Sequence, residues 1–202
     1  EHLELEARWG GYRAAQSVAS RVTAVYEDIA ELIGCAPDEV ALVDSATRAW
    51  QLAFAAIPFK PGDRILCSRV EYASNYLAFL QLQERVGVEV VPIDSDHFGA
   101  IDLALLSAEL QRGAALVALT HVPTTSGLVQ PARAVGELCR DADVPLLLDA
   151  CQSAGQVDLR EIPWDMVSVT GRKYLRGPRG TGFLGIRSAM LDRVTPPTAD
   201  LW

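Results

Sequence analysis

The sequence predicts an α/β fold: a three-layer α-β-α sandwich built on a mostly parallel sheet. Three observations predict it. Short apolar runs bounded by Gly, Pro and charge alternate about five times with longer stretches of helical periodicity, the pattern that strand–helix–strand crossovers produce. The run at 114–120 is apolar almost throughout, as a central strand covered on both faces must be. Half of the 202 residues are apolar, ample for the core of one domain.

The elements follow in order. Residues 9–13, Trp-Gly-Gly-Tyr-Arg, read as a loop in which Tyr12 and Arg13 are solvated. A helix is predicted over 12–33, with Val18, Val22, Val25, Ile29, Leu32 and Ile33 at helical spacing and Gly34 as its stop. Residues 40–43 form a short strand. Asp44-Ser45-Ala46-Thr47 then opens a helix that passes Trp50 and Phe54 and stops near Pro58. The turn at 61–63 leads into a strand at 64–68, and a helix starting within 71–75 ends near Gly87. A strand at 88–93 is followed by the polar turn 94–99, which puts His97 on the surface. A helix at 102–110 precedes the central strand, which ends at His121, a structural residue in this reading. Pro131 opens a helix to Asp141, since proline suits the first helical turn.

The last three strands carry the chemistry. Leu146-Leu147-Leu148 ends in Asp149, and 166–170 is followed at once by Gly171-Arg172-Lys173. A glycine-rich turn at 177–182 leads into 183–186. Beyond Arg187 the pattern fades into Thr195-Pro196-Pro197-Thr198, which divides the chain into a domain at 1–194 and the start of a linker at 195–202. No tandem repeat or low-complexity segment occurs.

Composition excludes several function classes. The formal net charge of −8 argues against nucleic acid as a partner, because phosphate binding wants a basic face. No uninterrupted apolar stretch reaches membrane-spanning length, so no membrane partner is expected. No signal peptide opens the chain, and Glu1 is not a start methionine, which suggests an excerpt or a processed chain. Cys35, Cys67, Cys139 and Cys151 form no C-x-x-C pair and have no histidine at zinc-ligand spacing. They are expected to be reduced, buried thiols of a cytoplasmic protein, with no metal. Cys151, next to Asp149, reads as packing rather than as a nucleophile.

The chain holds sixteen arginines and two lysines. Lys60 lies in the turn Phe59-Lys60-Pro61-Gly62 and reads as a solvated charge. Lys173 stands at a strand end. A guanidinium stays protonated and cannot attack a carbonyl, whereas a lysine amine can lose its proton and do so. An acid ending one strand and a lysine ending the next can share the crevice where open α/β sheets bind ligands. By composition alone, Lys173 reads equally well as a surface lysine.

In their order and spacing, Asp149-Ala150-Cys151-Gln152, Thr170-Gly171-Arg172-Lys173 and Gly177-Pro178-x-Gly180-x-Gly182 resemble the cofactor core of fold-type I pyridoxal-phosphate enzymes. The similarity is to the class V aminotransferase branch, which includes cysteine desulfurases, selenocysteine lyases, isopenicillin N epimerase and hercynylcysteine sulfoxide lyase. Residues 170–184 look most similar to the sulfoxide lyases. The resemblance implies the large domain of that fold, with pyridoxal 5'-phosphate as cofactor. It makes Lys173 the amine that attaches the cofactor and the catalytic base at the substrate α-carbon. Asp149 pairs with the pyridine nitrogen, and Gln152 donates to the phenolic oxygen. Thr47 and the amide of Arg48 take the phosphate at a helix amino end; a cap by Ser45 or Asp44 is compatible with that role. Thr170 and Arg172 complete the phosphate cup, Arg172 standing where desulfurases have a histidine. Thr124 occupies the place of an asparagine that touches the phenolic oxygen.

Desulfurases carry Glu-His-His-Ala-Asn where this chain has Glu71-Tyr72-Ala73-Ser74-Asn75. Tyr72 is thereby the ring expected over the pyridine face. Ala73 replaces the second histidine, which argues against a true desulfurase. Arg176 and Arg179 read as exposed charges. The implied activity is C–S cleavage by β-elimination of a cysteine conjugate or cysteine sulfoxide. Epimerisation, transamination and a cofactor-binding but inactive large-domain fragment are the alternatives. The resemblance also implies that a smaller C-terminal domain and some tens of residues before Glu1 lie outside this chain. Little steady-state turnover is expected of it alone, and its full-length parent is expected to be a homodimer acting on a small amino acid.

Overall fold

A computed structural model describes residues 1–198; the end of the expected linker, 199–202, lies outside the described residues. The strands are β1 (Val40–Val43), β2 (Arg64–Ser68), β3 (Glu89–Ile93), β4 (Leu116–Thr120), β5 (Leu146–Asp149), β6 (Met166–Thr170) and β7 (Gly182–Ile186). They form one sheet in the order β1-β7-β6-β5-β4-β2-β3. Pairs from β3 through β2, β4 and β5 to β6 are parallel, whereas β7 runs antiparallel to both β6 and β1. The reason lies in the connections. A parallel return needs a crossover of a dozen or more residues, and the segment 171–181 is too short for one.

Helices cover both faces. They are α1 (His2–Trp9), α2 (Gly11–Ser17), α3 (Ala19–Ile33), α4 (Ala46–Ala56), α5 (Ala73–Val86), α6 (Leu103–Gln111) and α7 (Ala132–Asp141). Strand side chains alternate between faces, so Leu146 and Leu148 pack with α3, α6 and α7 while Leu147 packs with α4 and α5. The α4–α5 layer is aromatic: Trp50 stacks on Phe54 with centroids 4.8 Å apart, and Phe79 tilts against Trp50 at 5.5 Å. The predicted three-layer architecture is the one observed.

Three expectations are corrected. Residues 9–13 are not a loop, and 12–33 is not one helix. Gly10 alone breaks α1 from α2, with φ 79° and ψ 158°, a conformation open essentially only to glycine. Val18 breaks α2 from α3 with φ −115° and ψ 6°. The break at Val18 follows no Gly or Pro signal. The cysteines are free, but only Cys67 and Cys139 are buried; Cys35 and Cys151 sit partly exposed, on loops. No described helix is long and apolar enough to cross a membrane.

His121, just past β4, is buried, and its Nδ1 has no partner among the described residues. Burial pulls its pKa down to about 4. An unfolded chain takes up that proton below about pH 6.5, while the folded chain refuses it until about 4. Stability is therefore lost as pH falls through this window. His121→Gln is expected to remove the loss. Between pH 7 and 4.5, urea unfolding should show the wild type losing about 2–3 kcal/mol more than the variant. Glu71 and Asp165, both raised by burial, are present in both proteins and cancel in the comparison.

Candidate active site

The carboxyl ends of the central strands bring polar residues side by side. Thr120 pairs in register with Asp149, and Asp149 with Ser168. The amino end of α4 closes one side of this row because residue 182 is glycine. A Cβ there would stand 2.8 Å from Ser45 C and Val169 O and 2.9 Å from Ala46 N. All three are backbone atoms and cannot rotate away. Gly182→Ala is expected to displace the start of α4 and to cost about 1–3 kcal/mol in urea unfolding.

The site residues read from the sequence mostly meet. Thr47, Tyr72, Thr124, Asp149, Gln152, Thr170, Arg172 and Lys173 line one cleft beyond the strand ends, together with Ser45, Ala46, Thr120, Val122 and Cys151. Arg48 does not line it. Its amide donates to Ser45 Oγ at 3.2 Å, with Ser45 as the N-cap of α4. The cap thus occupies the amide that was expected to face an anion. The amides of Ala46 and Thr47 are the ones without an acceptor among the described residues, as the first N–H groups of a helix are. Tyr12 is 97% exposed on α2, and Arg13 lines a separate depression with Trp9, Gln16 and Ser17.

Asp149 is 6% exposed. Its Oδ1 accepts from the Cys151 amide at 3.0 Å and its Oδ2 from Asn75 Nδ2 at 3.1 Å. Each carboxylate oxygen can take two donors, so acceptor capacity remains. A buried carboxylate short of a cation is costly. Beside it, the Cys151 thiol is pushed well up, first by burial and then by the charge of Asp149. It is a neutral wall rather than a nucleophile. Gln152 Nε2 donates to Thr124 Oγ1 at 3.1 Å, so two of the expected contacts hold each other.

Lys173 enters the cleft, half-buried, on a tight loop. The Gly177 amide donates to Gly171 O at 2.7 Å and the Arg176 amide to Lys173 O at 2.9 Å. Arg176 adopts a left-handed φ of 56° to make this turn.

Sequence reasoning missed Glu71, Asn75 and Thr120. The Glu71 carboxylate accepts from Asn75 Nδ2 at 2.9 Å, from the Thr120 amide at 3.0 Å, from the Tyr72 amide at 3.2 Å and from the Thr120 hydroxyl. Its pKa is raised, chiefly by burial and further by the charge of Asp149. An available signal was the spacing of Glu71 and Asn75, four apart at a helix start.

A family profile described as "Aminotransferase class-V" matches residues 3–199. A probable cysteine desulfurase of Methanothermobacter thermautotrophicus is 30% identical over 177 residues, which cover 87% of this chain and 44% of that protein. Cysteine desulfurase IscS of Vibrio cholerae is 36% identical over 182 residues, covering 88% and 44%. The chain thus spans about half the length of the curated relatives it matches. Among solved structures, the apo cysteine desulfurase from Thermococcus onnurineus superposes with a TM-score of 0.87 at 26% identity, over 92% of this chain and 47% of that one. The cystine C–S lyase C-DES, in complex with its reaction product cysteine persulfide, gives 0.86 at 23% identity over 96% and 54%, a likeness of fold alone.

Proposed function

The chain belongs to the class-V aminotransferase family, and on that premise we propose that its cleft holds pyridoxal phosphate and serves C–S bond cleavage in a cysteine conjugate or cysteine sulfoxide. The observation that carries the reading is the juxtaposition, in one cleft, of a buried acid ending β5 and the lysine that follows β6. The donor set fits the cofactor. Asp149 keeps acceptor capacity for a protonated ring nitrogen. The free amides opening α4, with the Thr47 hydroxyl and Arg172, suit a phosphate.

Lys173 Nζ would be the amine that holds the cofactor and the base for the proton on the substrate α-carbon. When bound, the cofactor supplies an electron sink for the charge developing at that carbon. The Asp149 carboxylate would keep the ring nitrogen of a bound cofactor protonated. Gln152, aligned by Thr124, would donate to the phenolic oxygen of a bound cofactor, and Tyr72 would supply the ring against it. All four thiols, Cys35, Cys67, Cys139 and Cys151, are pushed up by burial before any other effect. None has the depressed pKa of a sulfur-accepting thiolate, which favours elimination over sulfur transfer to one of these residues.

The test uses a protein of the relatives' full length that carries this chain. Mixed with an S-alkyl-cysteine sulfoxide, it is expected to release pyruvate and ammonium. Racemised amino acid without pyruvate would move the assignment to epimerisation; with free cysteine as the substrate, alanine and protein-bound sulfur would move it to desulfuration.

A further inference from the structure

We propose that Asn75 and Glu71 are positioning residues for Asp149: one side-chain amide is strapped between two carboxylates and holds the Asp149 carboxylate in its aim at the cleft. Asn75, in the first turn of α5, is 2% exposed. Its Nδ2 carries two protons. One goes to Glu71 Oε1 at 2.9 Å and the other to Asp149 Oδ2 at 3.1 Å. With an acceptor on each side, the amide nitrogen rather than its oxygen must face them, so the orientation of Asn75 has no alternative.

Glu71 is anchored in turn. The Thr120 amide and hydroxyl both donate to it, and Thr120 is the register partner of Asp149 on the neighbouring strand. The start of α5 is thereby laced to the same strand ends that present the acid, with Tyr72 carried between. Two carboxyl groups share one amide. The Cys67 thiol, pushed up to about 12 by burial and by Glu71, is neutral, and so is Cys151. Arg69 is engaged with Asp94, and Lys173 follows β6, across β5 from β4 and β2. Asn75 spans the two carboxyl groups and fixes that of Asp149 in its aim at the cleft. A cationic ring nitrogen is the ligand group such an arrangement selects. The inference rests on the reading that this cleft takes pyridoxal phosphate.

The experiment binds pyridoxal phosphate labelled with ¹⁵N in its ring to the wild type, to Asn75→Ala and to Glu71→Gln. The ring-nitrogen signal is followed against pH, with Kd and urea stability measured alongside. Asn75→Ala is expected to weaken binding on the order of tenfold, the loss of one hydrogen bond to a charged group. Its ring nitrogen should give up the proton about one pH unit lower than in the wild type. Glu71→Gln should shift both readouts the same way by less, because its single carbonyl oxygen cannot accept from both the Thr120 amide and Asn75. Should Asn75→Ala fail to fold, the volume-preserving Glu71→Gln carries the test. Lowered stability with an unchanged nitrogen titration would reduce both residues to packing and overturn the proposal. A neutral ring nitrogen in the wild type would instead remove the Asp149 reading on which it depends.

Discussion

Lys173→Ala is expected to abolish covalent attachment of pyridoxal phosphate outright. The wild type should develop an absorbance band near the visible edge and keep a mass increment after borohydride reduction. The variant should show neither. The effect is all-or-none because no other amine is at hand. Arg172 lies next door, but a guanidinium does not lose its proton in proteins. Lys60 is exposed in a turn held by Asp63, whose carboxylate accepts from the Lys60 amide at 2.7 Å. Lys173→Arg should fail equally, which separates the need for an amine from the need for a charge. Neither change touches the core, so stability should stay within about 0.5 kcal/mol of the wild type. A surviving band in Lys173→Ala would sink the assignment of this lysine.

Asp149→Asn is expected to spare the Lys173 attachment yet slow α-proton exchange of a bound amino acid by on the order of 10²–10³-fold. Volume is kept; charge is lost. The single carbonyl oxygen of the new amide can accept from the Cys151 amide or from Asn75, but its own NH₂ then meets a donor at the other position. The ring nitrogen also loses its counter-charge, and the sink weakens. Exchange is read by deuterium incorporation at the α-carbon, which does not require the C–S bond to break. Equal exchange in the two proteins would mean that the carboxylate does not face the ring.

Much of the fold was legible in the sequence because burial writes itself into composition. Strands covered on both faces must be apolar throughout, so 114–120, 146–148 and 166–170 stood out, and their first hydrophilic successors marked where each strand emerges. The helices α4 to α6 were legible for the complementary reason: Ser45 and Asp102 cap α4 and α6, and Gly87 stops α5. The N-terminal segment was read less well. Of its first two helices only Ala14 is buried, so no core-facing stripe distinguished α1 and α2 from a loop. Arg48 illustrates a different failure. Its position beside Thr47 was right for a helix amino end, but which amide stays free depends on which side chain caps, and Ser45 takes that of Arg48.

By itself, the sequence determined which residues are candidates for chemistry and that the acid and the lysine among them stand at strand ends, since either breaks an apolar run at the point where the strand leaves the core. Only the tertiary structure decided who meets whom. Thr120 and Glu71 are 49 residues apart, and Asn75 and Asp149 are 74 apart. Local patterns fix the hydrogen bonds of a helix or the facing of a strand, but sheet register and the seat of α5 are set by packing over the whole core. That packing turned a helix start, read only as the carrier of an aromatic ring, into the brace behind a buried carboxylate.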